Sequence, residues 1–312
     1  MENMTFQELT NEIMRLYPQG KYAEALQVVE QNADRFPVQL ARTTFWKMCL
    51  LGLCGRTDEV ISIFQKGLDS GLWWAESQFR DTDLDAVRDV PEFKRLVAES
   101  NQKCIEMQAH VKPDRTVLLP DDMYGELPFL IALHGRNGNK DSNLEYWDVA
   151  RRRGWLVLSP QSRQTLFEGS HCWDDSDQGL RDILFHVEAI MQTYNVDRKR
   201  IVIGGFSQGS GMGIYLALTG RTGARGFMGV GTFIAQPDSL LPLAGQGQAI
   251  RGYFLTGGKD HTLDKAQAIQ KILRENKIPF REEVFPELGH AFPPEFERVF
   301  DQAIDFILKE HE

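Results

Sequence analysis

The sequence contains little cysteine and no long apolar run. Its 4 cysteines, among 312 residues, form no CxxC pair (Cys49, Cys54, Cys104 and Cys172). Scattered cysteines favour free thiols in a reducing compartment over a disulfide framework or a zinc site. The most apolar short stretch, Met48–Leu53, is far too brief to cross a bilayer, and the first residues do not have the pattern of a secretory signal. We therefore expect a soluble cytoplasmic protein that binds no metal and does not insert into a membrane.

Positive charge is outnumbered by negative charge. The chain has 35 Lys and Arg against 44 Asp and Glu, for a net charge of -9. Both the first 112 residues and the remainder are acidic on balance, so nucleic acids are poor candidate partners. The motifs that bind nucleotide phosphates (G-x-x-x-x-G-K-[ST]), dinucleotides (G-x-G-x-x-G) and catalytic zinc (H-E-x-x-H) are missing as well. The sequence thus predicts a globular protein and does not indicate nucleotide, dinucleotide or catalytic-zinc chemistry.

Apolar residues in the first third of the chain recur at helical spacing, with hardly a strand-like segment. Gly20–Leu26 is answered by Gly55–Ile61, and the second glycine comes 35 positions after the first. In each copy the glycine ends one helix and a polar step opens the next. A period near 34 residues with a helix–turn–helix in each unit resembles the tetratricopeptide repeat. We predict a helical module over residues 1–109 and leave a plain helical bundle as the alternative. Trp73 and Trp74 are expected to be exposed on it.

From about residue 110, short apolar runs alternate with longer amphipathic ones, which indicates a mostly parallel sheet covered on both faces. Ile201–Ile203 shows no polar alternation, as suits a strand buried on both sides. The predicted strands are Thr116–Leu119, Phe129–Leu133, Leu156–Ser159, Ile201–Gly204, Phe227–Phe233, Tyr253–Thr256 and Glu282–Phe285. The predicted helices are Leu144–Arg153, Gln178–Tyr194, Gln208–Leu218, Asp264–Glu275 and Pro294–Leu308.

The strongest chemical signal is the segment Gly205–Gly209, which reads Gly-Phe-Ser-Gln-Gly. It follows a predicted buried strand and opens a predicted helix, the context that a G-x-S-x-G nucleophile elbow requires. Such a turn is so tight that only very small side chains fit two residues before and after the serine. It presents the hydroxyl of Ser207 at the start of a helix, where the backbone N–H of Gln208 faces a developing oxyanion. Ser207 is the predicted nucleophile.

A serine hydroxyl is a poor nucleophile unless a histidine base and an orienting acid accompany it. Asp260 comes shortly after the predicted strand Tyr253–Thr256, and His290 comes after Glu282–Phe285. Both therefore lie with Ser207 at the C-terminal edge of the sheet, where ligands gather in open α/β sheets. Along the chain the serine comes first, then the acid and then the histidine, which is the order expected for a triad whose serine lies on a nucleophile elbow.

Other residues compete for two of these roles. Asp264 is an alternative acid, although it is also placed to cap the following helix. His261 and His171 are alternative bases, but neither follows the final predicted strand as His290 does. We therefore rank Asp260 and His290 above them.

The segment His134–Gly138 follows the predicted strand Phe129–Leu133 and resembles the His-Gly segment of esterases that supplies a second oxyanion donor. The predicted donors are the backbone N–H groups of Arg136 and Gln208. His134 is expected to hold the loop.

Loops at this edge of a sheet usually shape the substrate pocket. We place His134, Gly135 and Trp173 there as candidate substrate contacts. Trp173 is expected either to stack on an acyl chain or ring or to anchor its loop by packing. Cys172 is expected to be a small buried side chain rather than a nucleophile.

The chain from about residue 110 to 312 is similar to the phospholipase/carboxylesterase group of α/β hydrolases, which includes acyl-protein thioesterases. The segments that carry the likeness are Gly205–Ser210, Leu133–Gly135 and Gly289-His290, and the Gln after the nucleophile is especially typical. The resemblance implies hydrolysis of esters or thioesters without a metal or organic cofactor. One departure is Arg136-Asn137, where such enzymes often have an apolar or small residue. It raises a polar or anionic substrate as an alternative, although we interpret Arg136 as a surface arginine that points into water.

We predict an α/β-hydrolase fold over residues 110–312, preceded by an all-α module of helical hairpins over residues 1–109. The predicted function is that of a serine hydrolase that cleaves a carboxylic ester or thioester through Ser207, His290 and Asp260 and an acyl-enzyme. The alternatives are a serine peptidase or amidase of the same fold and a helical-repeat scaffold with an inert hydrolase domain. The expected partner is a small-molecule or acylated substrate. The helical module is expected to bind a peptide, form a homodimer or restrict access to the active site.

Overall fold

The chain divides into two units that are not simply consecutive. The computed structural model describes residues 4–246 and 249–309. The first unit runs to Val111 and also takes in Thr165–Gly169, whereas the second comprises Lys112–Gln164 and the chain from Ser170 onward. Nothing in the sequence pattern indicates that Thr165–Gly169 belongs with the helices. The domain boundary between residues 109 and 110 stays a prediction.

The first unit is built from helices that follow one another in hairpins, as expected. Gly20 and Gly55 have φ angles of 70° and 71°, a left-handed conformation that favours glycine and ends a helical segment. The helices are α1 (Phe6–Leu16), α2 (Tyr22–Asn32), α3 (Leu40–Leu53), α4 (Thr57–Asp69) and α5 (Pro91–Gln108). The likeness to the tetratricopeptide repeat stays a prediction.

The two tryptophans of the first unit are buried, so the prediction that they are exposed is wrong. Trp73 is 8% exposed and Trp74 is 0% exposed. The indole N–H of Trp74 donates to the carbonyl of Ala41 at 3.0 Å, and its backbone N–H donates to Ser100 Oγ at 2.7 Å. Its ring packs edge-on against Phe64, with the ring centroids 5.7 Å apart. These contacts join positions far apart in sequence, which a local pattern does not reveal.

The second unit contains the expected mostly parallel sheet. Its order is β1-β3-β2-β6-β7-β8-β9, and only the β1–β3 pair in it is antiparallel among the described residues. The strands of the chain are β1 (Arg115–Leu118), β2 (Leu127–Leu133), β3 (Leu156–Pro160), β4 (Thr165–Phe167), β5 (Ser170–His171), β6 (Val196–Phe206), β7 (Gly226–Val230), β8 (Arg251–Gly257) and β9 (Phe280–Phe285). The helices are α6 (Leu144–Arg152), α7 (Ser176–Thr193), α8 (Gln208–Thr219), α9 (Leu241–Ala244), α10 (Leu263–Glu275) and α11 (Phe296–Leu308).

Helices cover both faces of this sheet. One face, which includes Phe129 and Ile203, packs in a single apolar cluster with α7, α8 and α10. The opposite face, which includes Leu130 and Val202, packs with α6 and α11. Because successive side chains of a strand point to opposite faces, a fully apolar run such as the one in β6 fills both cores.

Parallel strands bring their carboxyl ends to one edge of the sheet. The loops after β2, β6, β8 and β9 therefore leave from this edge, and they hold Gly135, Ser207, Asp260 and His290 respectively. In the described part of the chain, no helix combines the length and the apolar character that crossing a bilayer requires.

Candidate active site

Ser207 occupies a sharp turn between β6 and α8. Its φ is 53° and its ψ is -121°, a combination that residues with a side chain rarely adopt. The turn is held because the backbone N–H of Ser207 donates to the carbonyl of Val230, at 2.8 Å. Gln208 is the first residue of α8, so its N–H has no carbonyl partner within the helix.

The two glycines of the motif allow the turn to close. A Cβ on Gly205 would lie 2.4 Å from the carbonyl oxygen of Gly209, and a Cβ on Gly209 would lie 2.3 Å from the carbonyl oxygen of His134. Both distances are far below van der Waals contact, and the atoms that would be hit belong to the backbone. Neither position therefore has room for a side chain, as predicted from the sequence.

Asp260 and His290 form a hydrogen-bonded pair. Nδ1 of His290 lies 2.9 Å from each carboxylate oxygen of Asp260, and Thr262 donates to Oδ1 through its backbone N–H and its hydroxyl, both at 2.8 Å. Burial raises the pKa of Asp260, but the hydrogen bonds from His290 and Thr262 outweigh it and lower the pKa to about 2. The side chain of Asp260 is 2% exposed and that of His290 is 20% exposed, so the base is the more accessible of the two.

The imidazole of His290 lies beside the elbow. Its ring centroid is 4.9 Å from that of Phe206, the residue before Ser207. Gly231 directly follows Val230, whose carbonyl accepts from the N–H of Ser207. A Cβ on Gly231 would lie 3.0 Å from Nδ1 of His290. Within the described residues, the imidazole of His290 hydrogen-bonds to Asp260.

The residues that compete for the roles of base and acid are less well placed than His290 and Asp260. His261 is next to the pair, with its ring 4.7 Å from that of His290 and Nδ1 3.7 Å from Oδ1 of Asp260, but its side chain is 76% exposed. Asp264 is exposed on the first turn of α10. His171 is buried, and its backbone bridges to Gly138.

The loop after β2 lies against the elbow. A Cβ on Gly135 would be 3.3 Å from Cβ of Ser207. His134 is 1% exposed, its Nδ1–H donates to the carbonyl of Gly135 at 2.8 Å, and its Nε2 faces the N–H of Ser162 at 3.4 Å. Burial lowers the pKa of His134 to about 3, so the ring is neutral. This geometry supports the expected role of His134 in holding the loop.

Trp173 is part of the packing around this loop. It is 3% exposed, its ring stacks on that of His134 at 4.8 Å, and its indole N–H donates to the carbonyl of His134 at 2.9 Å. These contacts favour the interpretation in which Trp173 anchors its loop. Substrate contacts by His134, Gly135 and Trp173 stay a prediction. Cys172 is buried, and burial raises the pKa of its thiol to about 12, which suits a small packing side chain.

Asp174 is a residue that the sequence analysis missed. Its Oδ1 accepts hydrogen bonds from Nη1 of Arg136 at 2.5 Å and from Nε2 of Gln208 at 2.7 Å. Arg136 is thus paired rather than pointing into water, and its side chain is only 28% exposed. No motif marks Asp174, because its contacts depend on how two loops and the start of α8 fold together.

Among the described residues, two groups each bring three potential metal-ligand atoms within 4.8 Å of one another. They are Asp260, His261 and His290 at this site and Cys49, Asp81 and Asp83 in the first unit. The first group already bonds within itself. In the second, the hydroxyl of Tyr17 donates to Asp83, and burial holds the pKa of the Cys49 thiol well above its usual value. The geometry assigns an ion to neither group, and the absence of a metal or other cofactor stays a prediction.

Two family models match parts of the chain. Residues 174–310 match the family model described as Phospholipase/Carboxylesterase. This part of the chain is therefore similar to that family. Residues 5–109 match the model of the A/B hydrolase-like N-terminal domain. The resemblance inferred from the sequence is therefore confirmed, and the family is one of carboxylic ester hydrolases, as expected.

A curated relative and two solved structures are also similar to this chain. A bifunctional acetylxylan esterase/xylanase of Neocallimastix patriciarum is 31% identical over 112 residues, which cover 34% of this chain and 16% of that protein. The chain thus spans about a sixth of the length of that relative.

The solved structures show the fold. An uncharacterized protein from Bacillus cereus ATCC 10987 matches with a TM-score of 0.55 and 23% identity, over 97% of this chain and 99% of that one. Acyl-protein thioesterase 2 of Zea mays matches with a TM-score of 0.50 and 16% identity, over 63% of this chain and 99% of that one. The first likeness takes in almost the entire chain and the second about two thirds of it.

Proposed function

We propose that the phospholipase/carboxylesterase domain hydrolyses carboxylic esters or thioesters with Ser207 as nucleophile, His290 as general base and Asp260 as the acid that orients it. One observation carries the proposal. Ser207 stands on a strained turn at the same sheet edge as the hydrogen-bonded pair of Asp260 and His290. A buried carboxylate bonded to Nδ1 of a histidine beside an elbow serine is the arrangement that acyl transfer needs.

The tautomer of His290 suits a base. Because Nδ1–H donates to Asp260, a neutral imidazole leaves Nε2 unprotonated and able to accept the serine proton. The proposal requires Nε2 of His290 and Oγ of Ser207 to come within hydrogen-bond distance in the complex with substrate. Such bonds often tighten only when substrate is bound.

The reaction then proceeds in two halves. Oγ of Ser207 attacks the carbonyl carbon while its proton passes to Nε2 of His290, and the carbonyl oxygen becomes an oxyanion that faces the N–H groups of Gln208 and Arg136. The tetrahedral intermediate collapses, and the alcohol or thiol leaves with the proton from His290. Water repeats the attack on the acyl-enzyme, and the carboxylic acid is released.

One matched relative indicates which acyl group to test first. The matched curated protein is named as an acetylxylan esterase, which supports a short acyl ester as the first substrate to try. The helical unit as a binder of a peptide or of a second copy, and the cytoplasmic location, stay predictions.

A substrate panel tests the proposed reaction. We expect wild-type protein to turn over p-nitrophenyl esters of short acids and acyl thioesters, and to leave aminoacyl p-nitroanilides intact. Ser207→Ala should lower kcat by about four powers of ten or more, since it removes the nucleophile. Ser239→Ala, which removes an exposed serine in the loop after β7, is the control.

The outcomes separate the alternatives. Preferential turnover of the anilides would make the domain a peptidase. An absence of turnover in wild-type protein across the panel would favour the scaffold with an inert hydrolase domain. Ser207→Ala as active as wild type would remove the nucleophile assignment.

A further inference from the structure

We propose that Asp174 is a positioning residue that holds the two donors of the oxyanion hole in register. This inference rests on the proposed function, because it concerns the same site. The donors come from separate parts of the fold: Arg136 lies in the loop after β2, whereas Gln208 begins α8. One oxygen of Asp174 accepts from the side chains of both, from Nη1 of Arg136 at 2.5 Å and from Nε2 of Gln208 at 2.7 Å.

The side chain of Gln208 is fixed at both ends. Its Nε2 donates to Asp174, and its Oε1 accepts from the backbone N–H of Trp173 at 3.0 Å. Both polar groups of the amide are therefore bonded to neighbouring residues of one loop. The orientation of the first residue of α8 is set by this loop as well as by the helix.

The same loop also contacts the loop after β2, which holds the other donor residue, Arg136. Trp173 stacks on His134 and donates its indole N–H to the carbonyl of His134 at 2.9 Å. Through Trp173 and Asp174 together, the loop bonds to His134, Arg136 and Gln208. Two adjacent residues thus link every chain segment that is proposed to face the oxyanion.

The surroundings of Asp174 keep its carboxylate charged. Burial raises the pKa of Asp174, but the charge of Arg136 and the hydrogen bonds from Arg136 and Gln208 outweigh it and leave the pKa below its usual value. The carboxylate therefore stays ionised at neutral pH. The side chains of Asp174 and Arg136 are 41% and 28% exposed, and ion pairs this open to water contribute little to stability. What the pair adds is geometry, since the side chains of both donor residues share one acceptor.

A shift of the donors affects the transition state more than substrate binding, because the oxyanion exists only after attack. Removing one oxyanion donor costs about two to three powers of ten in turnover. Loosening two donors without removing either should cost less. We expect Asp174→Ala to lower kcat by roughly 10- to 100-fold, with KM nearly unchanged.

The test compares Asp174→Ala, Asp174→Asn and a matched control on the full chain. The control is Asp301→Asn, which removes an ion pair with Arg153 at 3.1 Å on α11, with side chains exposed by 49% and 41%. We would measure kcat and KM on the ester cleaved best by wild type, the inhibition constant of a trifluoromethyl ketone, and the melting temperature. The ketone forms an oxyanion on the serine, so its affinity reports the oxyanion hole directly.

The expected pattern has three parts. In Asp174→Ala, kcat falls and the inhibition constant of the ketone rises by the same factor, at an unchanged melting temperature. Asp174→Asn falls in between, because its amide oxygen still accepts from both donors without the charge. Asp301→Asn behaves as wild type.

Two results would overturn the inference. One is a kcat and a ketone affinity that stay at the wild-type level in Asp174→Ala. The other is a loss that appears in KM alone or that follows a fall in melting temperature. The proposed function is judged separately, by Ser207→Ala. If that variant is inactive while Asp174→Ala matches wild type, only the role of Asp174 fails.

Discussion

Asp260 keeps its negative charge although its side chain is almost fully buried. A buried carboxylate normally resists ionisation, but here His290 and Thr262 together supply three hydrogen-bond donors. The balance favours the charged form and lowers the pKa to about 2. The folded state therefore holds this proton less tightly than the unfolded chain does, which links the acid of the proposed triad to stability.

We expect acid to remove the stabilisation that Asp260 provides. Because its folded pKa lies below the ordinary value of 3.8, this stabilisation is complete above about pH 4 and is lost as the pH falls through 2. Denaturant unfolding of wild type and Asp260→Asn gives the difference in free energy of unfolding at each pH. This difference should shrink by about 1 kcal/mol from pH 6 to pH 3.

Asp264→Asn is the control for this measurement, because its carboxylate lies exposed at the start of α10. A difference for Asp260→Asn that stays constant, or grows, as the pH falls would show that the hydrogen bonds do not favour the charged carboxylate.

At the residue scale, the sequence reveals groups that sit at the ends of strands. Ser207, Asp260 and His290 each follow a recognisable strand, and parallel strands end at one edge. The contacts of Asp174 depend instead on how its loop meets the loop after β2 and the start of α8. Nothing in a local pattern encodes those contacts.

At the scale of elements, the junction of β6 and α8 is the most constrained part of the site. Gly205 and Gly209 lie where a Cβ would meet backbone atoms at 2.4 and 2.3 Å. Gly211, one turn into α8, is similar, since its Cβ would lie 2.3 Å from the carbonyl oxygen of Phe233. Small residues thus let α8 approach the loops after β2 and β7 closely.

We expect Gly205→Ala to disrupt the elbow. The added methyl cannot fit without moving the backbone of Gly209, so the free energy of unfolding should fall by about 2 to 3 kcal/mol, and ester turnover should be lost with it. Urea unfolding and kcat are the two measurements. Gly245→Ala is the matched control, because a Cβ there would meet its nearest atom at an ordinary 3.7 Å. Wild-type activity in Gly205→Ala would mean that the turn is not the strained elbow described here.

The elements themselves follow the predicted order, with differences at their ends. β6 begins at Val196, five residues before the apolar run that was predicted as the strand. Its first half was not predicted, because the exposed charged residues 198–200 interrupt the apolar pattern. β7 ends at Val230 rather than at Phe233, since Gly231 turns the chain with a φ of 53°. β4 and β5 were not predicted, because two or three residues show no periodicity.

At the scale of the whole molecule, the alternation of apolar runs was enough to predict the parallel sheet with helices on both faces. It was not enough to assign Thr165–Gly169 to the helical unit. There the N–H of Thr165 donates to Gln108 Oε1 at 3.1 Å, and the N–H of Ala75 donates to the carbonyl of Leu166 at 2.7 Å. Such pairings join positions far apart along the chain, and only the folded structure reveals them.

The central claim is that Ser207 is a nucleophile activated by His290. Its most direct test is the mass of the intact protein after incubation with a fluorophosphonate probe, followed by mapping of the modified peptide. We predict one adduct per chain, located on Ser207, none in Ser207→Ala, and labelling slower by about three powers of ten in His290→Ala. An adduct of equal extent in Ser207→Ala, or one that maps to another residue, would contradict the claim.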